Sequence, residues 1–130
     1  MTAAGEKDAA LCVLLVDDEQ AVRRIGERAL HHAGFRVLLA ENGRRAVELY
    51  REHRAEIALV VLDMTMPEMN GADTFEALRQ MDPEVRVLLS SGHDSHEAFE
   101  RLRERGLRGV IQKPYRVSTL LNKVRSTLAG

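Results

Sequence analysis

The chain has one cysteine, three prolines, no excess of either charge and no apolar run long enough to cross a membrane. A single cysteine, Cys12, rules out an intramolecular disulfide. It opens an apolar run, so it reads as a small buried residue in a reducing compartment. Nineteen basic and twenty acidic residues leave a net charge of -1. Charge therefore gives no reason to expect direct nucleic-acid binding or contact with an anionic membrane, and a protein partner remains open. The first ten residues lack the apolar core of a signal peptide. The expectation is a cytoplasmic protein, or the cytosolic part of a larger, membrane-bound one. No repeat, low-complexity segment or linker interrupts residues 9–130. With 45% hydrophobic and 30% charged residues in 130, the chain has room for one domain. Residues 1–8 are small, polar and aperiodic, and read as a disordered leader.

What is present is an alternation of apolar runs and helical stripes. Leu11 to Val16 is continuously apolar and ends in Asp17-Asp18-Glu19. Val22, Ile25, Ala29, Leu30 and Ala33 then recur at helical spacing until Gly34. Phe35 to Leu39, Ile57 to Leu62, Val85 to Leu89 and Val110-Ile111 supply four further strands. Helical stripes follow at Ala46, Val47 and Tyr50, at Phe75 and Leu78, at Ala98, Phe99 and Leu102, and at Val117, Leu120, Leu121, Val124 and Leu128. Asp82-Pro83 ends one helix, because the residue before proline is pushed out of the helical region. Strands that are apolar throughout, alternating with helices, imply right-handed crossovers. The fold expected is an α/β, doubly wound, five-stranded parallel sheet of flavodoxin-like type, in the order 2-1-3-4-5, with helices on both faces.

Such a sheet brings the carboxyl ends of its strands to one edge, where ligands bind. Four of those ends carry polar groups: Asp17-Asp18, Asp63, Ser90-Ser91 and Lys113. Three converging carboxylates repel one another, and a hard divalent cation relieves the repulsion, which points to Mg2+. Asp63 can also act as a nucleophile towards a phosphoryl group, whose charge would meet Mg2+, Lys113 and Ser91. No positioned base or second nucleophile is evident, which suggests a phosphoryl acceptor and switch rather than a turnover enzyme.

The motifs Val13-Leu14-Leu15-Val16-Asp17-Asp18-Glu19, Leu62-Asp63-Met64-Thr65-Met66-Pro67-Glu68-Met69-Asn70-Gly71, Leu88-Leu89-Ser90-Ser91-Gly92 and Lys113-Pro114-Tyr115 resemble the receiver domain of two-component response regulators, over about residues 11–128. The resemblance implies that Asp63 is the phosphoacceptor. It implies that Asp17, Asp18 and Asp63, with the backbone carbonyl of Thr65, hold Mg2+. Ser91, which precedes a small residue, would be the switch hydroxyl, and Lys113 would pair with the phosphoryl group. A cis Lys113-Pro114 peptide is common in that family. Thr65 and His93 stand where the family varies the groups that tune hydrolysis. Val110 replaces the family's usual Tyr or Phe, which implies a reduced or differently routed response of the fourth helix and fifth strand.

The implied partner is a histidine kinase or phosphotransfer domain, with weak homodimerisation as a further expectation. The motifs most resemble the C-terminal receiver of a hybrid sensor histidine kinase. A stand-alone single-domain response regulator and a non-phosphorylated pseudo-receiver docking module remain alternatives. An aspartate-nucleophile phosphohydrolase fits less well, since those resemble an Asp-x-Asp pattern and Asp63 is followed by Met64-Thr65. Simpler readings stand beside these. Asp17-Asp18-Glu19 could cap the following helix. The loop methionines Met64, Met66 and Met69 read as packing, and the charged run from Glu97 to Arg105 as a solvated helix face.

Overall fold

A computed structural model describes residues 10–92 and 96–130, with the side chains of residues 96–98 excepted. The leader reading for residues 1–8, the tuning role of His93 and the burial of Ala98 lie outside the described residues. Five strands, β1 (Cys12–Val16), β2 (Arg36–Ala40), β3 (Ile57–Asp63), β4 (Val87–Ser91) and β5 (Gly109–Gln112), alternate with five helices. The helices are α1 (Gln20–His32), α2 (Gly43–His53), α3 (Gly71–Met81), α4 (His96–Glu104) and α5 (Val117–Ala129). All the strand pairs are parallel, in the order β2-β1-β3-β4-β5. The doubly wound architecture expected from the sequence is the one observed.

The strands are apolar on both faces because both faces are covered. Leu14, Val16, Val60, Leu62, Val87 and Leu89 pack with Ala46, Leu49 and Tyr50 of α2, Phe75 and Leu78 of α3, and Leu102 of α4. The alternate residues Val13, Leu15, Leu59, Val61 and Leu88 pack with Leu30 of α1 and Leu120 and Val124 of α5. Burying each such leucine contributes roughly 2 kcal/mol. Side chains carry the helix starts that the apolar stripes do not mark. Asn42 Oδ1 accepts from Arg45 N at 2.8 Å and Asn70 Oδ1 from Asp73 N at 2.9 Å, so both asparagines are N-caps.

Two sequence expectations shift. Strand β4 runs through Ser90 and Ser91 instead of stopping before them, because Asp63↔Ser90 and Ser91↔Gln112 continue the ladders. Ile25, placed on the buried stripe of α1 by its spacing, is 58% exposed. The cause is Gly26: a Cβ there would lie 2.5 Å from Leu15 Cδ2. The helix therefore presses its backbone onto β1 at Gly26 and buries Ala29 and Leu30, leaving Ile25 at the rim beside α5. Val117 is likewise 43% exposed, and Leu121 of the same stripe is only partly buried.

Ile25→Ala is therefore expected to change unfolding free energy by no more than about 0.5 kcal/mol. Leu30→Ala, on the same helix but fully buried, is expected to cost about 2–5 kcal/mol. Urea denaturation of both variants checks this, and comparable losses would contradict the assigned helix face.

Candidate functional site

Strands β1, β3, β4 and β5 end on one edge of the sheet and deliver Asp17, Asp63, Ser90-Ser91 and Lys113 to it. Asp63 and Lys113 line a cleft of about 600 Å³ there, together with Asp18, Glu19, Val22, Thr65, Gly92 and Pro114. Asp17, Asp63, Ser90 and Ser91 are buried, while Asp18 and Thr65 are exposed. Carboxylate oxygens of Asp17, Asp18 and Asp63 lie within 4.8 Å of one another, the one such group among the described residues. Three hard oxygen donors at that spacing suit a small divalent cation, and no cysteine or histidine joins them among the described residues.

The reading of Asp17-Asp18-Glu19 as a helix cap holds in position only. Glu19 is the N-cap of α1 but makes no side-chain capping bond, and the first turn of α1 holds no acid. Asp17 is instead buried, with its carboxylate held by the cleft residues Glu19 and Lys113. Its Oδ1 accepts from Glu19 N at 2.9 Å and its Oδ2 accepts from Lys113 Nζ at 2.9 Å.

Lys113 is the counter-charge within the cluster. Its ammonium lies 2.9 Å from Asp17, 3.4 Å from Glu19 and 3.5 Å from Asp63 Oδ1. The Lys113-Pro114 peptide is cis. Burial alone would lower the lysine's pKa, but the bond and charge of Asp17, with Asp63 and Glu19, hold it above the ordinary value. For Asp63 the balance runs the other way: desolvation first, then the charge of Asp17, push its pKa up to about 6 against the opposing pull of Lys113. Tyr115, two residues beyond the lysine, is pushed up to about 12 by burial and by Asp17.

The loop after β3 is drawn tightly over Asp63. Thr65 N donates to Asp63 Oδ1 at 3.3 Å, Met64 N to Ser90 O at 2.8 Å and Gly71 N to Met64 O at 2.8 Å. A Cβ at Gly71 would sit 2.6 Å from both Asp63 O and Met64 Cα, so only glycine fits where α3 meets the loop. Met66 is buried and Met64 packs against the same cluster, in keeping with their expected packing role. Val110 is half-buried against the α2–α4 side of the sheet. Sequence reasoning missed Glu19 as a second partner of Lys113, and Arg23, which reaches back to the Asp17 carbonyl at 2.6 Å. The spacing of Arg23 on α1 carries no signal of that contact.

A carboxyl group whose folded pKa lies above its unfolded value stabilises the protein fully only below the unfolded value. That stability is lost as pH rises through the folded pKa, here between about 4 and about 6. Asp63→Asn cannot ionise. In metal-free buffer its stability advantage over the wild type is expected to grow across that window and then level off. Urea unfolding at a series of pH values reads this, and an advantage that is flat or shrinks with rising pH would contradict the stated origin of the shift.

Comparison with known proteins agrees with this geometry. The response regulator receiver domain family matches residues 13–125. The sensor kinase CckA of Brucella abortus (strain 2308) is 38% identical over 117 residues, which cover 89% of this chain and 12% of that kinase. Chemotaxis protein CheY of Bacillus subtilis (strain 168) is 33% identical over 117 residues, 89% of this chain and 96% of that protein. The chain thus spans a small part of the one relative and nearly all of the other. Among solved structures, the CheX-CheY-BeF3-Mg+2 complex from Borrelia burgdorferi aligns with a TM-score of 0.86 at 28% identity, over 89% of this chain and 87% of that one. The family match takes in every strand end that lines the cleft, and the chain belongs to the response regulator receiver domains of two-component signalling.

Proposed function

We propose that Asp63 accepts a phosphoryl group from a phosphohistidine on a partner kinase or phosphotransfer protein, in a reaction that requires Mg2+. The observation that carries this reading is the pairing of a buried Asp63 with Lys113, 3.5 Å away, in an open cleft that Asp18 also lines, with Asp17 completing the group of carboxylates. A carboxylate oxygen of Asp63 attacks phosphorus, and a P–O bond forms as the P–N bond of the donor breaks. The electron pair leaves on the imidazole nitrogen. Lys113 is placed to neutralise charge on the transferred oxygens and can turn from Asp17 towards them without leaving the cleft.

Asp17, Asp18, Asp63 and the backbone carbonyl of Thr65 would hold Mg2+, which when bound offsets negative charge on the carboxylates and the phosphoryl oxygens. The fit rests on the chemistry and spacing of the donors. A Mg+2-containing complex of a structural relative supports the same choice of ion.

The strand alternation supports Ser91 over Ser90 as the switch hydroxyl. Along β4, Val87 and Leu89 face the α2–α4 side and Leu88 the α1–α5 side. Period-two alternation continues the first face at Ser91, the face on which Val110 packs. With valine at that position, a movement of Ser91 would have no aromatic ring to turn, so the downstream response would run through shifts of α4 and β5 themselves.

Residues 9–130 form the receiver unit in this reading, acting in the cytoplasm. The parent is a hybrid sensor histidine kinase, which the identity to CckA supports. The near-complete coverage of CheY favours a stand-alone regulator as the second reading.

Intact mass after incubation with a small-molecule acyl phosphate donor tests the chemistry. One phosphoryl adduct is expected, requiring Mg2+ and abolished in Asp63→Asn. Lys113→Met is expected to form it at least about tenfold more slowly at saturating Mg2+. A folded wild-type chain that acquires no adduct from this donor would favour a docking module, and repeated turnover of a phosphate ester would favour a phosphohydrolase.

A further inference from the structure

The turn that presents Asp17 and Asp18 is gripped from outside the cleft by one cation. Arg23, in the first turn of α1, donates from Nη1 to the backbone carbonyl of Asp17 at 2.6 Å. That carbonyl falls between elements: β1 ends at Val16, α1 begins at Gln20, and Glu19 makes no side-chain capping bond. The remaining polar groups of Asp17 are also held. Its N donates to Ala40 O at 3.1 Å, its Oδ1 accepts from Glu19 N, and its Oδ2 accepts from Lys113. Asp17 is therefore fixed from four directions.

Among the described residues Asp18 has no comparable set of anchors: it is exposed, and its carboxyl meets that of Asp63. The direction of its carboxylate depends on the peptide plane it shares with Asp17, and the oxygen of that peptide is the one Arg23 grips. Rotating the plane would swing the Asp18 side chain relative to Asp17 and Asp63. We infer that Arg23 is a positioning residue for the cation site, fixing the Asp17–Asp18 peptide so that the third carboxylate meets the other two. This rests on reading the carboxylate trio as a Mg2+ site.

The sign of the effect separates positioning from charge. A guanidinium near a cation site repels the cation, so if its charge alone mattered, removing Arg23 would tighten Mg2+ binding. Loss of a group that orients ligands acts in the opposite direction, typically weakening metal affinity by about 10- to 100-fold.

Calorimetric titration with Mg2+ alone, on the wild type, Arg23→Met, Arg23→Lys and Asp18→Asn, decides between these. Urea unfolding of each in metal-free buffer establishes that the titrated protein is folded. Arg23→Met is expected to bind Mg2+ about tenfold or more weakly. Arg23→Lys is expected to recover part of that loss, because an ammonium on a shorter stem still donates to the carbonyl but lacks the planar fork. Arg23→Met binding as tightly as the wild type or tighter would overturn the inference, as would a loss of stability with the Mg2+ affinity unchanged. Asp18→Asn isolates the underlying assumption. If it loses Mg2+ while Arg23→Met retains it, the positioning role alone fails. If it binds as the wild type does, the cation site fails and the inference falls with it.

Discussion

Three carboxylates held within 4.8 Å of one another at the edge of a sheet are the constraint around which the rest of the molecule is arranged. Their mutual repulsion and partial burial would drive them apart or towards protonation, and the raised pKa of Asp63 shows that tension. The fold withstands it because the carboxylates hang from rigid elements. Asp17 follows β1 and Asp63 ends β3, and those two strands are paired over nearly the whole length of β1 at the centre of the sheet. Lys113, brought in from the far strand β5, balances part of the charge. Moving Asp17 or Asp63 means disturbing strands whose other residues are almost entirely buried.

The same arrangement suits the proposed phosphoryl transfer. Lys113 is shared among Asp17, Glu19 and Asp63, so it can exchange one acceptor for another at little cost in burial. Glycine at position 71 lets α3 begin directly against the backbone of Asp63, which keeps the loop after Asp63 short and hydrogen-bonded. The cleft above remains open, bounded by Gly92 and the exposed Thr65, and gives access to a group carried on another protein. A second protein must reach a buried carboxylate in two-component signalling, and this shape meets that need.

Much of this was legible in the sequence because buried parallel strands write themselves as unbroken apolar runs. Any acid, hydroxyl or lysine that ends such a run must lie at the ligand-binding edge. Asp17, Asp18, Asp63, the Ser90-Ser91 pair and Lys113 were placed at that edge in this way, whereas singling out Ser91 rested on the family resemblance. Periodicity failed where backbone packing decided the outcome. Ile25 sits at helical spacing with Ala29, yet the close approach at Gly26 turns α1 so that Ile25 faces solvent. The end of β4 was misjudged because Ser90-Ser91-Gly92 has the composition of a turn, whereas the ladders to β3 and β5 carry both serines into the strand. Arg23 was not legible at all. A half-exposed arginine on a helix ordinarily projects into solvent, and only the three-dimensional turn shows that its guanidinium meets a backbone carbonyl. The caps at Asn42 and Asn70 could have been read from an asparagine followed directly by glycine and then by a helical stripe.

The most direct test of the central claim locates the phosphoryl group at a single residue. Borohydride reduction of the acyl phosphate, followed by peptide sequencing, converts a phosphorylated aspartate to homoserine and leaves the other acids unchanged. The account predicts homoserine at position 63 and none at positions 17 or 18. Homoserine at either of those positions with none at 63 would contradict it, and so would a phosphoryl group that is stable to this treatment.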